Sequence, residues 1–205
     1  MKKIILSALL YVMLISVNCD NLVADCPPNY IQQIILYSIP GTNCVAKVEV
    51  CYQCTPTNSG NVNIGAIEIY DCDDRQNAWG VLNADNRSAL IKYAILHINY
   101  GNCTPPPCDQ GVKQFVVRSS ACNYYQNVVV NGVKIVSKLI PCSSDGAYCE
   151  KTYNLCWDGT TMLVTLTGSY LIGIPNCSTI LPEIGSYPYN WDQNWETYCF
   201  TAGCN

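Results

Sequence analysis

The sequence holds a single histidine, His97, and that scarcity removes most of the usual catalytic constellations. A Ser-His-Asp triad or a Cys-His pair would have to be assembled around that one ring, on the late face of a predicted helix, and no nucleophile motif accompanies it. The simpler reading is a helix-terminal histidine beside carbonyl oxygens, whose partial negative charge favours it. Zinc is poorly served for the same reason, since its sites draw on several His or Cys thiolates at once. The reading is therefore of a chain that is not an enzyme and carries no cofactor.

Charge is scarce as well, at 13% of residues. No Lys or Arg follows Lys151, whereas Asp158, Glu183, Asp192 and Glu196 all lie beyond it. That balance argues against nucleic acid as a partner, because affinity for it comes mainly from basic contacts to phosphate. Long apolar runs are missing after the first residues: no later segment approaches the roughly 20 apolar residues of a transmembrane helix.

The one apolar run that does occur follows Met1-Lys2-Lys3 and extends from Ile4 to Ile15, the pattern of a secretory signal. Cleavage before Asp20 makes residues 1–19 the signal and residues 20–205 one disulfide-rich domain. That domain has room for a small N-terminal lobe over 20–60 and an aromatic tail over 185–205. Loss of Lys2 and Lys3 moves the net charge from −4 to −6. A rival reading makes Cys19 the lipid-bearing first residue of a bacterial lipoprotein, although Asn18 stands where such signals want Gly, Ala or Ser. Either way the destination is secretion or the cell surface.

What the chain has in abundance is cysteine, fifteen in all. With Cys19 removed or lipidated, Cys26, Cys44, Cys51, Cys54, Cys72, Cys103, Cys108, Cys122, Cys142, Cys149, Cys156, Cys177, Cys199 and Cys204 remain, an even set for an oxidising compartment. A chain this long builds a core without covalent help, so the disulfides point to harsh surroundings. Cys44 and Cys51, like Cys149 and Cys156, are an odd step apart. In a regular strand their sulfurs face opposite ways at ~23 Å, so neither pair closes on itself. Cys103 and Cys108 flank Pro105-Pro106-Pro107, a polyproline connector that holds them ~15 Å apart, and they too should pair elsewhere. Cys51-Tyr52-Gln53-Cys54 has the spacing of a redox pair but ends a strand instead of opening a helix, and Thr55 stands where covalent haem needs His.

The fold class expected is mainly β: a disulfide-rich antiparallel sandwich or sheet with one packed helix over about residues 84–98. Two hairpins anchor that expectation, one turning at Asn131-Gly132 and one at Asp158-Gly159, dipeptides that readily take positive φ in a two-residue turn. Strands are also read over Tyr30 to Ser38, Val45 to Tyr52, Ile64 with Ala66 to Tyr70, and Val112 to Arg118, with a polar loop over Thr55 to Asn61. In the helix Ile91, Ala94, Ile95 and Ile98 form an apolar stripe, with Arg87 and Lys92 off it toward solvent. A shorter helical turn near Arg75 to Val81 is weakened by Gly80.

Three segments are candidate sites. Asp71-Cys72-Asp73-Asp74 gathers carboxylates as a calcium site would, without the Gly and distal Glu of the twelve-residue loop. Glu68 with Asp71 would make a glycosidase pair, indistinguishable in the sequence from solvated strand-end acids. Tyr187, Tyr189, Trp191 and Trp195 combine flat apolar faces with short polar neighbours, a surface that suits an extracellular polysaccharide. Asn86-Arg87-Ser88, Asn102-Cys103-Thr104 and Asn176-Cys177-Ser178 are glycosylation sequons.

The strand over Tyr30 to Ser38 is apolar and uncharged, which is hazardous for an edge, since unpaired N–H and C=O groups recruit any available strand. It must be buried at home or paired with another chain. Two functions follow: a structural subunit that assembles with copies of itself through strand pairing, or a carbohydrate-binding module using the aromatic tail.

Overall fold

Val, Ile and Tyr alternate with polar residues along most of the chain, and each such run forms a strand. The structure, a computed structural model, describes residues 26–55, 59–70, 84–130, 133–142, 146–184, 188–201 and 203–204. The segment read as a signal with Cys19, the acidic group Asp71-Cys72-Asp73-Asp74, the turn expected over 75–81, the expected Asn131-Gly132 turn and Tyr187 lie outside those residues.

In chain order the elements are β1 (Ile31–Ser38), β2 (Val45–Cys54), β3 (Ser59–Tyr70), α1 (Ala84–His97), β4 (Lys113–Ser120), β5 (Cys122–Val130) and β6 (Val133–Pro141). They continue with β7 (Tyr148–Trp157), β8 (Met162–Ile172), β9 (Trp195–Glu196) and β10 (Phe200–Thr201). The protein is mainly β, and α1 is the one α-helix among the described residues. All ten strands belong to one branched sheet.

The branch lies at β3. One side of this long strand pairs with β2; the other takes β4 along Ser59 to Ile64 and then β6 along Ile67 to Ile69. One arm therefore runs β1-β2-β3-β4-β7-β8, and the other passes from β3 through β6 to β5, whose far side pairs with β9 and β10. The sheet is mixed where an antiparallel one was expected, because β3 and β4 are parallel neighbours. Parallel strands need a long crossover, and α1 lies within that connection.

The helix crosses the sheet. Near its start Ser88 Oγ accepts a hydrogen bond from Lys151 Nζ on β7, and at its end the His97 carbonyl accepts one from Gln33 Nε2 on β1. Fourteen helical residues span ~21 Å, close to the ~19 Å across five strands from β7 to β1. Leu90, Ile91, Ala94, Ile95 and Ile98 are buried against Val48, Val50, Val62, Ile64 and Phe115, which forms the main core. Lys92 is exposed as expected. Arg87 is not simply solvated, since its Nη2 donates to the Gly203 carbonyl and its side chain lines a cavity.

Two local expectations change. β3 begins at Ser59, inside the segment read as polar loop, because Asn61 and Asn63 are outer-face residues of a strand whose inner face is Val62 and Ile64. The β7–β8 hairpin closes over four residues, Asp158 to Thr161, not two: Trp157 pairs with Met162. Asp158 Oδ1 accepts from the Thr160 and Thr161 N–H groups, and Gly159 takes φ 101°. This side-chain-closed turn replaces the two-residue hairpin turn.

Six disulfides join cysteines that both lie among the described residues: Cys26–Cys51, Cys54–Cys103, Cys108–Cys156, Cys122–Cys177, Cys142–Cys199 and Cys149–Cys204. Cys44 is disulfide-bonded too. Cys103 and Cys108 each pair outward, with Pro107 at φ −54° and ψ 143° between them, close to polyproline geometry.

Candidate functional site

Among the described residues, the chemistry-bearing side chains singled out in the sequence do not converge. His97 is exposed at the end of α1, with Nδ1 2.8 Å from the Tyr93 carbonyl and its ring stacked on Tyr93. Cys51 and Cys54 lie in β2, each bonded to a different distant cysteine. Glu68 is clamped by Lys138 at 2.8 Å and Lys47 at 3.0 Å. Burial raises its carboxyl pKa, but the two lysines outweigh that and hold it below the ordinary value. No group of three His, Cys, Asp or Glu side chains suited to a metal occurs among the described residues.

A small cavity of about 40 Å³ opens beneath α1, lined by Arg87, Ile91, Ser119, Asn123, Lys151 and Gly203 among others. Lys151 is 6% exposed, and burial together with the nearby Arg87 charge lowers its ammonium pKa. Two cations, Arg87 and Lys151, and two serines of β4, Ser119 and Ser120, make the hollow polar and positively charged.

The aromatic segment is folded onto β5. Asn127, buried in the β5 strand, donates from Nδ2 to the Trp191 and Gln193 carbonyls and accepts from the Ser137 hydroxyl. Asn194 Oδ1 accepts from the Val129 N–H. Trp191 packs on the core, and Trp195 leans on it with ring centroids 5.5 Å apart at 57°. Tyr189 meets Trp195 edge-on at 5.6 Å, and the Trp195 indole donates to the Asn190 carbonyl. These three rings pack into one another at steep angles. A sugar platform instead presents a ring face to solvent.

The third candidate is the pair of sheet edges. β1 pairs with β2 alone and β8 with β7 alone, and no other described strand pairs with either. Neither contains a charged residue; β8 lies in a stretch from Gly159 to Pro182 with none at all. Pleat parity separates their faces. On β1, Gln33, Ile35 and Tyr37 face α1, and Ile35 is 4% exposed, while Ile34 and Leu36 on the outer face are 49% and 55% exposed. On β8, the register with β7 places Leu163, Tyr170 and Ile172 on the outer face, where Leu163 is 46% and Tyr170 58% exposed.

Between these edges the outer face is mostly polar. Lys47, Glu49, Asn61, Asn63, Gln114, Arg118 and Glu150 occupy it, tied by the Lys47–Glu68 and Arg118–Glu150 ion pairs at 3.0 Å each. The usual order is inverted, since exposed edges are normally the charged part of a sheet. The sequence flags β1 by its lack of charge; it does not flag β8, whose Thr and Ser residues disguise the same lack.

Comparison with family models, curated proteins and solved structures finds no match to this chain.

Proposed function

We propose that the chain is a secreted, disulfide-stapled structural protein, a subunit of an extracellular assembly that associates through β-strand pairing, with no reaction of its own. The observation that carries this reading is β1, an uncharged edge strand with Ile34 and Leu36 turned to solvent and no second partner strand among the described residues. Among the described residues β1 pairs with β2 alone, which leaves its other edge to a further strand. The disulfides suit an oxidising, extracellular setting, and no described helix is long and apolar enough to cross a membrane. The carbohydrate reading draws less support, because Trp191 packs on the core and Trp195 packs on Trp191.

Because Ile35 points into the core, a charge there would unfold the sheet and test nothing. Ile34 is the informative position. Sedimentation velocity of the mature protein over a range of concentrations should show growing oligomers, and Ile34→Lys should return them to monomer with an unchanged circular dichroism spectrum. Wild-type protein that stays monomeric throughout overturns the proposal.

A further inference from the structure

Strand directions around the sheet make the two open edges partners for one another. β1 is antiparallel to β2 and β2 to β3, so β1 runs with β3. β4 is parallel to β3, β7 is antiparallel to β4 and β8 to β7, so β8 also runs with β3. The two ends of the arm β1-β2-β3-β4-β7-β8 therefore carry strands of the same direction.

We propose that the partner of β1 is β8 of a second copy, joined in parallel, so that the arm continues from one molecule into the next as a head-to-tail filament. This rests on the assembly reading above and names its second surface. Three features select a second copy as the occupant. Both edges lack charge over their whole length, so neither repels nor requires a charged guest. Their lengths match, 8 residues against 11, giving up to ~26 Å of continuous pairing. Most telling is the outer face, where exposed apolar side chains occur at its two margins and polar ones between. Continuing the sheet with the same face outward sets Ile34 and Leu36 of one copy beside Leu163, Tyr170 and Ile172 of the next. Those rows are then shielded together, and no other part of the face changes its surroundings.

Direction also decides the symmetry. A twofold axis normal to the sheet reverses strands, so β1 against β1 or β8 against β8 pairs antiparallel and closes only one edge of each molecule. A single β1-to-β8 contact uses both edges, is heterologous, and leaves an open edge at each end for the next copy, the condition for a filament in which rotation does not close a ring.

Two variants separate these cases. Ile34→Lys with Leu36→Lys blocks β1, and Leu163→Lys with Tyr170→Lys blocks β8; all four side chains are exposed. Ser38→Lys and Thr165→Lys, at exposed polar positions, serve as a second pair if either double variant misfolds by circular dichroism. Each blocked protein alone should sediment as a monomer. An equimolar mixture should form a heterodimer and stop there, because the β1-blocked copy offers β8 and the β8-blocked copy offers β1. Self-association of either blocked variant, or a mixture that stays monomeric while the wild type assembles, overturns the head-to-tail contact and leaves the assembly reading standing. A monomeric wild type removes both.

Discussion

Gly60→Ala tests whether β3 and β4 are held as parallel neighbours by the packing of one ring. A Cβ at Gly60 would lie 2.3 Å from Cε1 of Phe115, 2.6 Å from Cδ1 and 2.9 Å from Cζ, all inside contact distance. Phe115 is the direct register partner of Gly60, is fully buried and meets Tyr100 edge-on at 5.4 Å, so the ring has nowhere to turn. Overfilling a packed core costs ~1–3 kcal/mol, and an overlap this deep belongs near the upper end. The gain from removing a strand glycine, ~0.5–1 kcal/mol, offsets part of it. The net loss expected is about 2 kcal/mol, or roughly 4–8 °C in melting temperature for a chain of this size. Gly168→Ala is the matched control. Its Cβ would lie 2.7 Å from Cε2 of Tyr170, but that ring is exposed and can swing away, so the substitution should be neutral or mildly stabilising. Guanidinium denaturation of the disulfide-intact proteins gives both differences from midpoints at constant slope. Equal effects at the two glycines, or an unperturbed Gly60→Ala, would show that distance alone or neither ring matters, and would refute the account of the β3–β4 contact.

Asn127→Ala removes hydrogen bonds to Trp191, Gln193 and Ser137 at a position 1% exposed, which should cost about 3 kcal/mol at ~1 kcal/mol for each. Hydrogen exchange across residues 189–197 should quicken; unchanged protection there would mean that the β5–β9 pairing and Cys142–Cys199 hold the tail without Asn127. Asp158, whose carboxyl is lowered to about 2 by the Thr161 and Thr160 N–H groups and the Thr160 hydroxyl, stabilises the β7–β8 turn only while ionised. A depressed folded pKa gives stability that is full above the unfolded value of 3.8 and lost as pH falls through about 2. Thermal melts of wild type and Asp158→Ala should therefore differ at neutral pH and converge in that acid window, and a constant gap would refute the role assigned to the charge.

Strand identity is legible wherever polarity alternates with burial. Val45 to Tyr52 needs nothing but its own pattern, and the stripe Ile91, Ala94, Ile95 and Ile98 locates α1 within a residue or two. What local pattern does not carry is which strands meet. The parallel β3–β4 pair depends on a crossover through α1 and on Gly60 admitting a ring from a strand far along the chain, and neither is visible in the Ser59 to Ile64 segment itself. The β7–β8 turn departs from expectation for a narrower reason, because Asp158 closes the turn with its own carboxylate and takes Thr160 and Thr161 out of the strand. For the candidate site, the missing charge on β1 is readable, but exposure is not. An uncharged run is equally the mark of an interior strand, and β8 reads as the second arm of a hairpin with no indication that no other described strand pairs with its far side.

The disulfides bear on the proposed assembly through where they are not. β1 and β8 contain no cysteine, yet each is bracketed by bonded ones: Cys26 and Cys44 stand on either side of β1, Cys156 and Cys177 on either side of β8. Loops of 48 to 57 residues are closed by five of the bridges, each worth about 4 kcal/mol if the effect is chain entropy in the unfolded state. An edge strand held at both ends frays less, so the ordering of its backbone is completed during folding and not at the moment of docking, which raises the affinity available from the same hydrogen bonds. The contact between subunits would itself remain noncovalent. A reductant would then act on such a filament by loosening the strand ends and unfolding subunits, while a charge placed at Ile34 or Leu163 would part them folded.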